Sequence, residues 1–132
     1  MIIVDTSVWV DYFNGAATPE TELLDRLLGE QPLLMGDLIL AEVLQGFRSD
    51  AAFRRAQRLL DALQFSEMVG RRVAFASARN YRALRARGVT VRKTIDVIIA
   101  TFCMLNGHRL LHCDRDFDPM ERHLGLAVVK AS

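Results

Sequence analysis

The chain opens with the stretch Met1–Ser7, MIIVDTS, an apolar and β-branched run that stops at a carboxylate and two hydroxyls. This pattern predicts a buried central strand that delivers Asp5 to its carboxyl end. Open α/β sheets carry their chemistry at the carboxyl ends of their strands. We therefore expect Asp5 to lie in a functional site and to be joined there by residues from later elements.

The rest of the chain alternates short β patterns with helical patterns, separated by turn residues such as Asn-Gly. Strand candidates are residues 33–35, 64–66, 109–112 and 127–129, and helix candidates are residues 8–13, 19–28, 38–47, 51–63, 69–87 and 95–105. This alternation predicts an α/β fold with a parallel sheet covered by helices on both faces. The helix at 95–105, with Thr94 as its expected N-cap, has almost no polar face and should be central.

The composition is that of a globular domain, with 132 residues, 51% of them hydrophobic, and a net charge of +1. This length predicts a single domain, residues 1–132, with one core. The apolar runs fall short of the roughly 18 residues needed to cross a bilayer, and no leader pattern is present, so we expect a cytoplasmic protein. Cys103 and Cys113 lack the spacing of a metal finger and are expected to be buried free thiols.

The basic residues are concentrated in one segment. Between Glu67 and Asp96 there is no acid, and this segment holds eight of the 17 basic residues, namely Arg71, Arg72, Arg79, Arg82, Arg85, Arg87, Arg92 and Lys93. One basic face and one acidic pocket would suit a polyanion held by its phosphates. The alternative is an ordinary solvated helix face.

Three later acids stand in settings comparable to that of Asp5. Glu42 lies inside an apolar helical run, Asp96 lies at the start of the most apolar helix, and Asp114 follows a predicted strand. Each has an ordinary structural explanation by itself, as an exposed helical acid, a helix-start residue or a turn cap. Their joint occurrence at strand ends and early helical positions indicates instead that the four carboxylates meet.

Carboxylates crowded together repel one another, and hard divalent cations with oxygen ligands relieve that repulsion. Mg²⁺ or Mn²⁺ is therefore the expected cofactor, as one ion or two. The sequence has no zinc-type set of His and Cys residues, no glycine-rich phosphate loop and no Gly-x-Ser-x-Gly around Ser7. We interpret His108, His112 and His123 as structural or surface residues.

Four short motifs in this order resemble those of the PIN-domain ribonucleases, and among them the VapC-type toxins of bacterial toxin–antitoxin pairs. The motifs are Asp5-Thr6-Ser7-Val8-Trp9, Leu40-Ala41-Glu42-Val43, Ile95-Asp96-Val97-Ile98-Ile99-Ala100 and Asp114-Arg115-Asp116-Phe117. The resemblance extends over the whole chain. It implies a three-layer α/β/α fold with a mostly parallel five-stranded sheet, and a Mg²⁺- or Mn²⁺-dependent endoribonuclease that serves as a toxin.

The resemblance also implies roles for individual residues. Catalytic acids would be Asp5, Glu42, Asp96 and Asp114, and metal ligands Asp5, Asp96, Asp114 and Asp116. Thr6 or Ser7 would supply a hydroxyl contact to the substrate. From their charge alone, Arg85, Arg87, Arg92 and Lys93 of the acid-free segment are expected to hold phosphates of a single-stranded or structured RNA. One departure is His112-Cys113 before Asp114, where relatives often carry Thr or Ser, so a hydroxyl contact is not expected there.

The implied partners are a cognate antitoxin and a second copy of the chain, in a homodimer or a toxin–antitoxin hetero-oligomer. Trp9, Tyr12 and Phe13 add large hydrophobes that a small core has little room for, so we expect some of them to form a docking patch. No membrane partner is expected.

Two functions of other classes remain as alternatives. A metal-dependent phosphatase would use similar acids, although the nucleophilic Asp-x-Asp after the first strand is replaced by Asp5-Thr6-Ser7. A non-catalytic α/β interaction domain would use the acids to bind a basic peptide, and the presence of acids at all four positions argues against it.

Overall fold

From residue 2 to residue 111, the strands and helices follow the order expected from the sequence. The computed structural model describes residues 1–131. Its elements are β1 (Ile2–Val4), α1 (Thr6–Phe13), α2 (Pro19–Glu30), β2 (Leu33–Gly36), α3 (Asp37–Gln45), α4 (Asp50–Asp61), β3 (Gln64–Ser66), α5 (Gly70–Ala86), α6 (Thr94–Asn106), β4 (Arg109–Leu111), a 3-10 turn (Arg115–Phe117) and α7 (Asp118–Leu124). The α/β class predicted from the alternation is confirmed.

The sheet is parallel, with the strand order β3-β2-β1-β4. Ile2 pairs with Leu33 on one side and with Arg109 on the other, so β1 is flanked by both neighbours. The chain builds outward from β1 through β2 to β3 and then returns to add β4 on the opposite side. The switch point of the sheet therefore lies between β1 and β4, which are adjacent and parallel.

Burial in the core explains why strands of three or four residues are enough to form a stable sheet. All three residues of β1 are buried, and Leu110 and Leu111 of β4 are fully buried beside them. Helix α6 buries Val97, Ile99 and five further residues, which confirms the central position predicted from its lack of a polar face. A strand buried on both faces is stabilised by its apolar side chains as well as by its ladder.

The structure corrects several expectations about element boundaries. The sheet has four strands, and the expected fifth strand at 127–129 is reduced to one parallel bridge between Leu110 and Val128. Gly125, with a φ of 82°, turns the chain after α7. The segment that follows is joined to β4 by hydrogen bonds from Leu110 N–H to the Ala127 carbonyl and from Val129 N–H to the Leu110 carbonyl. Thr94 is the first residue of α6, and Lys93 occupies the N-cap position instead.

Two side chains lie elsewhere than expected. Cys103 is buried as predicted, but Cys113 is exposed, because the chain has left the core after Leu111. Trp9 is buried in the core and stacks on Phe13 with the ring centroids 5.9 Å apart, so it is not part of an exposed patch. None of the helices formed by residues 1–131 is both long and apolar enough to span a bilayer.

Gly36 ends β2 directly before α3 and provides a test of the packing at this edge of the sheet. A Cβ atom at this position would lie within 3.0 Å of three side-chain atoms of Met68, which is itself buried. We expect Gly36→Ala to lower the free energy of unfolding by about 1–3 kcal/mol, measured by urea denaturation.

The matched control is Gly29→Ala within α2, where an added Cβ meets nothing within 4 Å. Alanine is the better helix former, so this variant should gain about 0.5–1 kcal/mol. Equal stability of the two variants would contradict the close packing of Met68 on Gly36.

Candidate active site

Asp5 is fixed at the carboxyl end of β1 by hydrogen bonds to two other parts of the chain. Its backbone N–H donates to the carbonyl oxygen of Leu111 at 2.8 Å, which extends the β1–β4 pairing. Its Oδ2 accepts from the backbone N–H of Ser7 at 3.1 Å and from the Ser7 hydroxyl at 2.7 Å. The Ser7 Oγ also accepts from the backbone N–H of Cys113 at 3.3 Å. The rotamer of this buried carboxylate is therefore set by β1, α1 and the loop after β4 together.

Asp96 lies in the first turn of α6, and its side chain is only 7% exposed. Its Oδ2 atom is buried and has no hydrogen-bond partner among the described residues. The charged group facing that oxygen is the ammonium of Lys93, 3.5 Å away. A buried carboxylate oxygen without a hydrogen bond is costly, so it requires a compensating cation.

Asp114 and Asp116 are placed by the 3-10 turn that follows β4. The Oδ1 atom of Asp114 accepts from the backbone N–H of Asp116 at 2.9 Å, which caps the turn. One carboxylate oxygen each from Asp96, Asp114 and Asp116 lie within 4.8 Å of one another. These three residues are called the acid cluster below. Its donor set is entirely oxygen, which fits a hard divalent cation such as Mg²⁺ or Mn²⁺.

Glu42 belongs to a neighbouring part of the site. It lies on α3, is half-buried, and accepts a hydrogen bond from the Thr6 hydroxyl at 2.8 Å. Because Thr6 directly follows Asp5, this bond joins α3 to the end of β1. The structure thus brings the acid cluster together as a unit, with Asp5 beside it, and connects Glu42 to the same strand end through Thr6.

The basic residues of the acid-free segment differ in their contacts. The Lys93 ammonium is 3.5 Å from Asp114 Oδ2 as well as from Asp96, and an Arg92 guanidinium nitrogen is 3.8 Å from Asp116 Oδ1. Arg85 and Arg87 are exposed near the end of α5 and form no ion pair within residues 1–131. A cleft runs past this region, and its lining includes Leu84, Val89, Arg92, Lys93, Asp96 and Asp116.

Residues 112 and 113 contribute contacts that sequence reasoning missed. The Nδ1 atom of His112 accepts from the backbone N–H of Asp114 at 3.2 Å, and its ring packs 5.0 Å from that of Phe117. Cys113 contributes its backbone N–H to Ser7. Their position directly before Asp114 was the available signal. The Ser7 hydroxyl, expected to contact substrate, positions Asp5 in this structure.

Burial is the main cause of the pKa shifts of Asp5 and Asp96. It raises the pKa of the Asp96 carboxyl to about 6, against the attraction of Lys93 and with further repulsion from Asp5 and Asp114. Burial also raises the pKa of Asp5, although its hydrogen bonds to Ser7 oppose the shift. For Lys93, burial lowers the pKa, but the negative charges of Asp96 and Asp114 outweigh it and the net direction is upward. Charged carboxylates are thus held here at the expense of stability.

Comparison with known families and proteins places this geometry among nucleases. The PIN domain family matches residues 2–122. A VapC ribonuclease from Mycobacterium bovis and ribonuclease VapC11 from Mycobacterium tuberculosis are each 37% identical to the chain over 125 residues, which cover 92% of the chain and 92% of each relative.

Solved structures of low sequence identity share the fold. The crystal structure of VapBC2 from Rickettsia felis bound to a DNA fragment superposes with a TM-score of 0.77 at 16% identity, covering 98% of both chains. A toxin–antitoxin complex from Klebsiella pneumoniae gives 0.74 at 18% identity, covering 100% of this chain and 98% of the other. These likenesses support the α/β/α architecture independently of the sequence matches.

The raised pKa of Asp96 leads to a prediction about stability in the absence of metal. The unfolded chain loses this proton near pH 3.8, whereas the folded protein keeps it up to about pH 6. The folded state therefore binds more protons between these values, and its free energy of unfolding should fall as the pH rises through that window. Asp96→Asn removes the charge, so with a chelator at pH 7 it should be more stable than the parent, by on the order of 2 kcal/mol.

Thermal unfolding with a chelator across pH 4 to 8 measures this effect. Glu67→Gln, which removes an exposed acid outside the acid cluster, should leave the pH profile unchanged. A lower melting temperature for Asp96→Asn would mean that Asp96 mainly stabilises the start of α6.

Proposed function

This chain belongs to the PIN-domain family, and from its site we propose that it is a divalent-metal-dependent endoribonuclease, the toxin of a toxin–antitoxin pair. The observation that carries the proposal is the acid cluster, which lies with Asp5 at the switch point of a parallel sheet. The ribonuclease names of relatives that match nearly the whole chain support the reaction class. An RNA-cutting toxin acts where cellular RNA is, so we also propose a cytoplasmic location.

The residues that would hold Mg²⁺ or Mn²⁺ are Asp5, Asp96, Asp114 and Asp116. The unpartnered oxygen of Asp96 supports this assignment, because a bound cation would compensate it. When bound, the ion supplies Lewis acidity, which makes an attacking water more acidic and offsets negative charge on the scissile phosphate. The role of the protein is to keep the four carboxylates oriented, and the Ser7 hydrogen bonds do this for Asp5.

Glu42 is the proposed catalytic acid that is neither a member of the acid cluster nor a proposed metal ligand. Its hydrogen bond from Thr6 holds one carboxylate oxygen, Oε1, at the end of β1. A carboxylate fixed at that place can orient a water molecule beside the phosphate and accept its proton. We assign Glu42 this catalytic role and assign Thr6 the task of positioning it.

Phosphates of the RNA would be held by Arg85, Arg87, Arg92 and Lys93. These residues carry positive charge along the segment that borders the acidic cleft. Contacts to phosphates give affinity without reading sequence, and bases splayed out in single strands or loops are the accessible target of such a site. The substrate we propose is therefore single-stranded or structured RNA.

The proposed protein partner is an antitoxin, as in the solved complexes that share this fold. Val10 is 41% exposed, and it lines a groove between α1 and α3 with Phe13 and Phe47. An apolar groove bordered by helices is a suitable site for an amphipathic helix. Homodimerisation or a toxin–antitoxin hetero-oligomer would bury further surface of the same kind.

The proposed reaction is tested by incubating purified protein with a panel of structured RNAs and Mg²⁺ or Mn²⁺. Cleavage should stop with a chelator, and Asp114→Asn should lose about 100-fold or more of the rate, since even outer-shell changes at metal sites cost 10–100-fold. Glu67→Gln serves as the control and should cleave normally. Cleavage that persists with a chelator would refute metal dependence, and hydrolysis of a generic phosphatase substrate instead of RNA would favour the phosphatase alternative.

The proposed phosphate contacts are tested by neutralising Arg85 and Arg87 together with glutamine. Binding should weaken alike for all RNAs, and the slope of log affinity against log salt should fall by about one to two. The control pair is Arg54→Gln with Arg58→Gln on α4, which changes the net charge equally on another helix. Equal losses of RNA affinity in both double variants would mean that the effect comes from the overall charge. A loss confined to one RNA would indicate base recognition.

A further inference from the structure

Lys93 occupies a position in the acid cluster that its proposed role in RNA binding does not explain. Its ammonium nitrogen lies 3.5 Å from Asp96 Oδ2 and 3.5 Å from Asp114 Oδ2. Within residues 1–131 the first oxygen has no hydrogen bond, and the other oxygen of Asp114 accepts from the backbone N–H of Asp116. The ammonium therefore faces one buried oxygen that lacks a hydrogen bond and one oxygen whose hydrogen bond comes from Lys93 itself.

The location of Lys93 at the start of α6 allows its side chain to leave the acid cluster. The residue stands in extended backbone at the N-cap of α6, its side chain makes no capping hydrogen bond, and that side chain is 51% exposed. The flexible four-carbon stem can carry the charge into solvent without moving the helix. Arg92 is a weaker neighbour, since its ion pair within residues 1–131 is to Asp116, at 3.8 Å, and its side chain is 69% exposed.

We propose that Lys93 is the internal counter-ion of the acid cluster and that a divalent cation displaces its ammonium on binding. The inference rests on the proposed metal-dependent function. A divalent cation held by the acid cluster would compete with the ammonium for these carboxylates, since two cations close to the same carboxylates repel each other. The released ammonium stays tethered at the border of the cleft, where the phosphates of the RNA are proposed to bind.

Displacement has a measurable consequence for metal affinity. Metal binding must break both ion pairs of Lys93, so part of the intrinsic attraction of the carboxylates is offset by that loss. Removing the ammonium should raise the metal affinity and lower the stability of the metal-free protein, because the carboxylates then repel without compensation. A lysine that helped to hold the metal site together would give the opposite change in affinity.

The experiment is calorimetric titration of the full chain with Mg²⁺ or Mn²⁺ alone, without RNA, for the wild type and Lys93→Met. We expect the variant to bind the ion about three- to tenfold more tightly, the range for losing two partly exposed ion pairs. The melting temperature with a chelator should be lower for the variant, and its rise on adding the ion should be larger than for the wild type. These readouts do not depend on catalysis.

Two further variants distinguish the effect of a cation at position 93 from the effect of the net charge of the chain. Lys93→Arg keeps a cation at the site and should bind the ion within about twofold of the wild type. Arg54→Met on α4 removes an equal charge from a residue outside the proposed site and should leave the metal affinity unchanged. If the wild type binds the ion but Lys93→Met binds it equally or more weakly, the counter-ion proposal is wrong and the proposed function stands. If the wild type binds no divalent ion, the proposed function fails and the counter-ion proposal fails with it.

Discussion

The site depends on the parallel pairing of β1 with β4. The hydrogen bond from the Asp5 N–H to the Leu111 carbonyl continues that pairing to the point where both strands end, and the Ser7 hydroxyl then bridges Asp5 to the backbone of Cys113. Through these two connections, the position of one carboxylate at the beginning of the chain fixes the path of the loop that carries Asp114 and Asp116. No residue of the acid cluster lies on β1, yet the cluster can form beside Asp5 only if this strand is in register with β4.

Burial of the first strand makes that register unambiguous. Ile2, Ile3 and Val4 are covered on both faces, so a shift by one residue would exchange every side chain between two packed layers. The same burial is what makes the acids costly, because Asp5 and Asp96 sit at the edge of the apolar core and resist ionisation. A rigid core and an acidic edge that resists ionisation are thus two results of one arrangement, and the ion pairs of Lys93 partly offset the second.

Much of this arrangement could be predicted from the sequence, since it follows from local pattern. The apolar sequences of residues 2–4 and of helix α6 predict that both elements are buried. The acids next to them, at the end of the strand and at the start of the helix, could therefore be located. The expected strand at 127–129 and the expected cap at Thr94 were wrong, because both depend on small differences in how the chain packs against its neighbours. The hydrophobic pattern of the sequence does not encode such differences. Tertiary packing likewise decides the burial of Trp9, the exposure of Cys113 and the contact of His112 with Asp114. The ion pairs of Lys93 could not be predicted because the sequence does not show in which direction a long, flexible side chain points.

The pairing of Ile2 with Arg109 has a consequence for the time at which the protein becomes active. A chain is made from its N-terminus, and β1 must wait for its second neighbour until more than a hundred further residues have been joined and have left the ribosome. Until then Asp5 has no Leu111 to bond and the acid cluster lacks two of its three members. A nascent chain that stops short of β4 therefore lacks a complete acid cluster. The distance in sequence between β1 and β4 delays assembly of the site until more than a hundred residues have followed Ile2.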